Sequence, residues 1–478
     1  MAEDYFSILE ANRDQMIRTL QESVRIPSEA AEPARNVNGE ILPFGAEVDA
    51  AFQHMLETGK SMGFDVLDVD HTGGHIEWKA DGAKETFGIA SHLDVVPAGK
   101  GWTEEPYSGL LKDGYIYGRG TTDDKGPAVA CLYAMKALKD AGLHPKRNIR
   151  LILGLDEETG SRSIEQYLEA AGAPDLGITP DGEFPLINGE MGILVFELAE
   201  RMQRHSKKEG LVLSSLKGGD AYNIVPGYAR AVVASSDPSV YDTIRGMAER
   251  YSEESGFRVK ARKVGSSMSV EAFGLSAHGA APERGINAVS ILMAFLGKLS
   301  FAGDEVSEFI DFYNERIGFS IHGEKLGCAL SDDVSGPLIL NAGVAEMNSE
   351  VASVSVNIRY PVKCSSDQVY QAVENALEGT DIGLVKHFDE PPIYVPPDDP
   401  FAKQLMHAYI DETGDIENGP KVDSGGTYAK SIPGTYAFGA LFPGEEDRMH
   451  QADERLLLTD FWRMSRIYAR MLFTTCFE

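Results

Sequence analysis

The 478-residue chain carries 44 Lys and Arg against 74 Asp and Glu, a formal net charge of -30, with 43% hydrophobic and 25% charged residues. That length exceeds one ordinary core and predicts two domains of a soluble globular protein. The acidity argues against a nucleic-acid partner, whose backbone it would repel.

The chain opens with MAEDYFSILEANRDQMIRTL, which reads as an acidic amphipathic helix rather than a basic leader with an apolar core. No apolar run approaches the roughly 20 residues of a spanning helix, so no membrane partner and a cytoplasmic location are expected. ETFGIASHLD and RNIRLILGLDEE are short β-rich runs that end in polar residues. Between them, KGPAVACLYAMKALKDAG sets Ala128, Val129, Leu132, Met135 and Leu138 at helical spacing and stops at Gly142. Strand, helix, strand predicts a βαβ unit and an α/β domain with a mostly parallel sheet and helices on both faces. Cys131 falls in that helical pattern as a buried free thiol; Cys328, Cys364 and Cys476 lie far from it and from one another.

From about Leu194 the texture changes. YARAVVASS, a helix from Ser239 to about Glu254, FRVKARK, SMSVEAFGL and a helix from Glu283 follow in turn. In ASVSVNIRYPV, Val354, Val356, Ile358 and Tyr360 alternate with Ser353, Ser355, Asn357 and Arg359, the pattern of a half-exposed antiparallel strand. A helix from about Asp367 to Leu377 and a strand near IGLVKHF complete the region. Residues 194–390 are therefore expected to form an inserted α+β domain with ferredoxin-like βαββαβ elements, between the two parts, 1–193 and 391–478, of the α/β domain. The Pro-rich EPPIYVPPDDP marks the return.

Polar clusters at strand ends are where open α/β sheets place their sites. His92 and Asp94, at i and i+2 of one strand, share a face; such a pair serves a metal, acts as a base, or lies solvated in a loop. GRGTTDDKGP places Asp123 and Asp124 before a helix. It is not a Walker loop, and its aspartates would repel a phosphate. LILGLDEETGS ends a buried strand in Asp156, Glu157 and Glu158. Three adjacent carboxylates there are costly unless cations hold them or they cap the next helix. ITPDGEFP adds Asp181, and EEDRMHQADER adds His450 in a polar loop. Mixed His/Asp/Glu donors without sulfur suit zinc, manganese or cobalt. The surplus of carboxylates suits two ions sharing one of them. On this reading His92 is a ligand and Asp94 the partner that orients it.

SHLDVVP, GRGTTDDKG, LDEETGS, PDGEFP, GLSAHGAAPERGINA and MHQADE together resemble the dinuclear zinc metallopeptidase family of aminoacylases, carboxypeptidase G-type enzymes, succinyl-diaminopimelate desuccinylases and carnosinases. GGDAYNIVP, NIRYP, DSGGTYA and the long insertion resemble the bacterial PepV-type dipeptidases within it. The resemblance implies two Zn2+ per chain, Mn2+ or Co2+ being alternatives. His92 and Asp181 would hold one ion, Glu158 and His450 the other, and Asp123 would bridge them. Asp94 stands behind His92, and Glu157 is the general base acting on a water shared by the ions. It further implies that the inserted domain is a lid whose His278 contacts the scissile carbonyl. Asn223, Arg359 and the backbone of Gly425 and Gly426 would receive the substrate. From local sequence alone, a helix-entry histidine with no task is the alternative for His278, and a surface arginine in an exposed sheet would look the same as Arg359. The implied substrate is a short unblocked peptide, a dipeptide such as a β-alanyl or histidyl one, and the implied state a monomer with His278 acting within its own chain. Deacylation or desuccinylation of an N-acyl amino acid by the same centre, and a non-catalytic binding relic, are the rival readings. No role is given to His54, in an early helix, or to His71, His75, His144, His205, His322, His387 and His407, which are read as lying in helices, loops or inserted-domain segments without carboxylate partners.

Overall fold

The computed structural model describes residues 4–202 and 210–477, so His205 lies outside the described residues. It divides into two compact units: residues 1–189, 394–422 and 426–478, and residues 190–393 with 423–425. The assignment of Asp423–Gly425 to the second unit has no signal in the sequence.

The first unit is built on β1 (Asp65–Asp68), β2 (Gly74–Trp78), β3 (Thr86–His92), β4 (Asn148–Gly154) and β5 (Leu176–Thr179). β3 lies between β4 and β5 and runs parallel to both, and the strand Thr435–Ala437 extends the parallel set beyond β5. β2 and β1 close the other edge antiparallel. Burial on both faces follows the two-residue period of the strands. Phe87, Ile89, Leu151 and Leu153 join the large core, while Ala90 and Ile152 pack on the other side with Ile164, Tyr167, Tyr428 and Ile432. Gly154 is required where it is: a Cβ there would lie 1.9 Å from the Tyr428 hydroxyl.

The helix Lys125–Asp140 crosses from β3 to β4 and packs against Leu458–Cys476 and the two N-terminal helices. It is therefore buried nearly all round, with Ala130, Cys131, Tyr133, Ala134 and Ala137 added to the stripe seen in the sequence. The opening amphipathic segment is two helices, Asp4–Ala11 and Arg13–Val24, separated at Asn12. Among the described residues, no helix is long and apolar enough to cross a membrane.

The second unit contains β6 (Gly192–Arg201), β7 (Leu211–Gly218), β8 (Tyr228–Ser235), β9 (Arg258–Val264), β10 (Ser267–Phe273), β11 (Ile339–Met347), β12 (Val351–Tyr360) and β13 (Gly383–Glu390). They form one antiparallel sheet in the order β9-β10-β8-β7-β11-β12-β6-β13. Within it, β6, the helix Ala288–Leu296, β11, β12, the helix Ser366–Leu377 and β13 make the ferredoxin-like βαββαβ set, spatially β13-β6-β12-β11. Strands β7 to β10 prolong the sheet beyond β11.

Two local readings are corrected. The helix expected from Glu283 starts at Ala288: residues Pro282–Arg284 form a short 3-10 turn, and Asn287 caps the helix by accepting the amides of Val289 and Ser290. The half-exposed character of β12 holds only for its first half, since Asn357 and Arg359 are 1% and 6% exposed. Alternation in composition therefore misjudged the face carrying Arg359, which is covered.

Candidate metal centre

The C-terminal ends of β3, β4 and β5 deliver the polar clusters of the first unit to one place. His92 is the last residue of β3, Glu157 and Glu158 follow β4, and Asp181 follows β5. Asp123 comes from the turn before the helix Lys125–Asp140, and His450 from the loop near the C-terminus.

The Asp123 carboxylate lies between two imidazoles. Its Oδ1 is 2.8 Å from His92 Nε2 and its Oδ2 is 2.9 Å from His450 Nε2. Asp181 Oδ2 stands 3.7 Å from the same His92 nitrogen, and Glu158 Oε2 stands 3.1 Å from that of His450. Two donor sets result, His92/Asp123/Asp181 and Asp123/Glu158/His450, with all donor atoms of each within 4.8 Å of one another. Ligand atoms about 2.0–2.1 Å from a common tetrahedral ion lie about 3.3 Å apart, so this spacing fits a cation in each set.

The electrostatics point the same way. Burial raises the carboxyls of Glu157 and Glu158, and pushes Asp181 up to about 7, with the neighbouring carboxylates adding to the effect. The carboxylates in turn raise both imidazoles against their burial, His450 to about 11. So many like charges call for cations, and dications bound there would return the acids to their ionised form and the imidazoles to neutral.

The surroundings separate ligand positions from supports. His92 Nδ1 lies 2.9 Å from the backbone carbonyl of Asp94 and 3.5 Å from its carboxylate Oδ1. The carbonyl is thus the nearer acceptor holding the ring, with the carboxylate of the same residue behind it. Its carboxylate accepts the backbone amides of Glu157 at 3.2 Å and Glu158 at 3.1 Å. Asp124 accepts the Ser91 hydroxyl and the His92 amide, away from the donor sets. Asp156 caps the helix Arg162–Ala171 by accepting the amides of Arg162 and Ser163. Of the three adjacent acids, one is therefore a cap and two face the cluster.

Two supports escaped the sequence. Glu454, fully buried, accepts the amides of Thr122 at 3.0 Å and Asp123 at 3.4 Å and pairs with Arg119 Nη1 at 2.6 Å. Lys125 is also buried and donates to the carbonyls of Ser23 and Ile26. Both lie in polar motifs, GRGTTDDKGP and EEDRMHQADER, where nothing in the sequence marks them apart from their charged neighbours. Three of the histidines set aside do find carboxylates: His71 lies 2.7 Å from Asp49 and His387 3.5 Å from Glu197, both from distant segments, and His75 lies 3.9 Å from Glu77, two residues along its own strand.

In the second unit, the structure brings Asn223 and His278 into adjoining loops. Ile224 pairs with His278 in an antiparallel bridge, and the Gly279 amide donates to the Asn223 carbonyl at 2.7 Å. Burial lowers Arg359 against the opposing charges of Asp423 and Glu390. Gly425 belongs to this unit and Gly426 to the first.

The model of Peptidase family M20/M25/M40 matches residues 88–474, and the chain belongs to that family. "Putative dipeptidase YtjP" of Bacillus subtilis (strain 168) is 34% identical over 463 residues, covering 96% of this chain and 97% of that protein. "Putative dipeptidase SH1171" of Staphylococcus haemolyticus (strain JCSC1435) is 33% identical over 459 residues, covering 96% and 95%. Among solved structures, human carnosine dipeptidase 1 superposes with a TM-score of 0.55 at 18% identity, covering 98% of this chain and 97% of that one. An aminoacylhistidine dipeptidase from Vibrio alginolyticus gives 0.52 at 16% identity, covering 94% and 95%. At such identities the structures speak for the fold alone.

Proposed function

We propose that the chain is a dinuclear metal-dependent dipeptidase, which cleaves the peptide bond of short peptides with a free amino end. The observation that carries the reading is the Asp123 carboxylate, each oxygen of which faces one imidazole, 2.8 Å from His92 and 2.9 Å from His450. Two Zn2+ ions, or Mn2+ or Co2+, fit these donors: His92 and Asp181 for one, Glu158 and His450 for the other, Asp123 for both. Bound there, such ions supply electrophilic polarisation of a carbonyl and acidify water.

The chain's own residues carry the remaining work. Glu157 belongs to neither donor set, yet its carboxylate feels the charges of His92, Asp181, Glu158 and Asp123. It serves as general base, taking a proton from the attacking water and returning it to the leaving amine nitrogen. Asp94 keeps Glu157 and Glu158 in register through their amides. His278 donates to the developing oxyanion, Asn223 and Arg359 engage substrate, and the amides of Gly425 and Gly426 receive its terminal carboxylate. The curated relatives bearing dipeptidase names support the substrate class. We assign a monomer in which His278 acts within its own chain.

The test is elemental analysis of the purified chain with hydrolysis of free and N-acetylated or N-succinylated substrates, before and after chelation. Two equivalents of divalent metal, loss of activity on chelation and loss on N-blocking are expected. Preference for the blocked substrates would instead indicate a deacylase.

A further inference from the structure

Asn341 sits on β11, 1% exposed, and its side-chain Nδ2 donates to two carbonyls of another segment: Tyr222 at 2.9 Å and Ile224 at 3.0 Å. The carbonyl between them, that of Asn223, accepts the Gly279 amide at 2.7 Å. Three successive carbonyls are thus held by fixed donors. Two glycines close the remaining space. A Cβ on Gly343 would lie 2.3 Å from the Tyr222 carbonyl oxygen, and one on Gly279 would lie 2.8 Å from that of Asn223.

The other end of the Asn341 amide shows what the residue is for. Its Oδ1 is buried without a partner among the described residues, a costly state for an acceptor. An asparagine kept there is kept for its two donors. What those donors fix is the turn carrying Asn223, whose neighbour Ile224 pairs directly with His278. In such a pair the Ile224 and His278 side chains stand side by side, and that of Asn223, one residue before, leaves from the other face of its segment, so the clamp acts on Asn223 through the backbone on either side of it.

We propose that Asn341 is a positioning residue, which acts on the reaction only by holding the turn that presents Asn223 to substrate. The inference rests on the dipeptidase reading above.

The experiment is a double-mutant cycle on the full chain, assayed with Zn2+ and an unblocked dipeptide. Asn341→Leu retains similar volume and removes both donors; kcat is expected to fall about 10–100-fold with a much smaller change in KM. Asn223→Ala falls comparably. In the Asn223→Ala background, Asn341→Leu adds less than about threefold, because Asn223, the one side chain the clamped turn presents, is already gone. Gly343→Ala, which drives a methyl into the Tyr222 carbonyl, is the second variant should Asn341→Leu not accumulate folded, and the same pattern is expected. Losses that multiply, or full activity in either clamp variant, overturn the proposal. Absence of wild-type turnover overturns the dipeptidase reading and this inference with it, whereas wild-type turnover with multiplying losses overturns this inference alone.

Discussion

The Asp94 carboxylate and the Glu158 backbone amide lie 3.1 Å apart, Oδ2 accepting that amide while Oδ1 accepts the Glu157 amide at 3.2 Å. One fully buried carboxylate thus ties the strand end that carries His92 to the turn that carries the proposed base and a proposed ligand. Only an ionised carboxylate offers both amides an acceptor; an amide side chain turns its NH2 towards one of them. Asp94→Asn is therefore expected to weaken metal binding and lower kcat/KM, each by about 10–100-fold, in keeping with the loss of a group that orients ligands. Zinc competition titration and steady-state kinetics check both, and a variant with native affinity and rate would remove Asp94 from this role.

Glu157 and Glu158 are adjacent in sequence but differ in place: Glu158 Oε2 is 3.1 Å from His450, while Glu157 belongs to neither donor set. Glu157→Gln should retain two equivalents of metal and lose about 100- to 10,000-fold in kcat, the range for a missing general base. Glu158→Gln should lose metal as well as rate. Elemental analysis beside kinetics separates the two, and Glu157→Gln with native turnover would leave the proton transfers without an owner.

Much of the cluster was legible because each residue ends an apolar run. His92, Glu157, Glu158 and Asp181 follow strands whose burial the sequence announces, and a charged group at such a point calls for a partner. What the sequence could not show is which partner. By composition and spacing alone Asp156 is indistinguishable from its two neighbours; its oxygens on the amides of Arg162 and Ser163 set it apart. Arg359 alternates like a surface residue, and only the packing over β12 reveals its burial. Glu454 and Asn341 act on backbone groups 331 and 119 residues away, separations at which spacing along one chain carries no signal.

Arg119 and Glu454 form a buried pair, 2% and 0% exposed, joined at 2.6 Å. Removing one partner strands a charge in the interior, which costs about 3–5 kcal/mol, whereas removing both often costs far less. Arg119→Met should therefore destabilise more than Arg119→Met with Glu454→Leu, measured by urea unfolding of the metal-loaded chain. The double variant should nevertheless bind metal more weakly than wild type, since the amides of Thr122 and Asp123 lose their acceptor. Equal stability of the single and double variants would show that the pair is not electrostatically coupled.

His75, 6% exposed on β2, lies 2.8 Å from the Tyr167 hydroxyl and 3.9 Å from Glu77, which itself pairs with Arg150 at 2.7 Å. Burial, with Arg150 and Lys79 adding to it and Glu77 and Asp65 opposing, lowers the imidazole from its usual 6.5 to about 4. The folded value is thus the lower one. Above about pH 6.5 the ring is neutral in both states and costs nothing; as pH falls, the unfolded chain takes up a proton that the folded chain refuses. Stability is lost progressively until about pH 4, by about 3 kcal/mol for this group. Other groups titrate over the same range, so the quantity to measure is the difference between wild type and His75→Gln, which keeps a polar contact for Tyr167 but cannot titrate. Unfolding free energies at pH 7, 6, 5 and 4.5 should show the variant gaining on wild type as pH falls. Parallel curves would mean that His75 takes up its proton without hindrance in the fold.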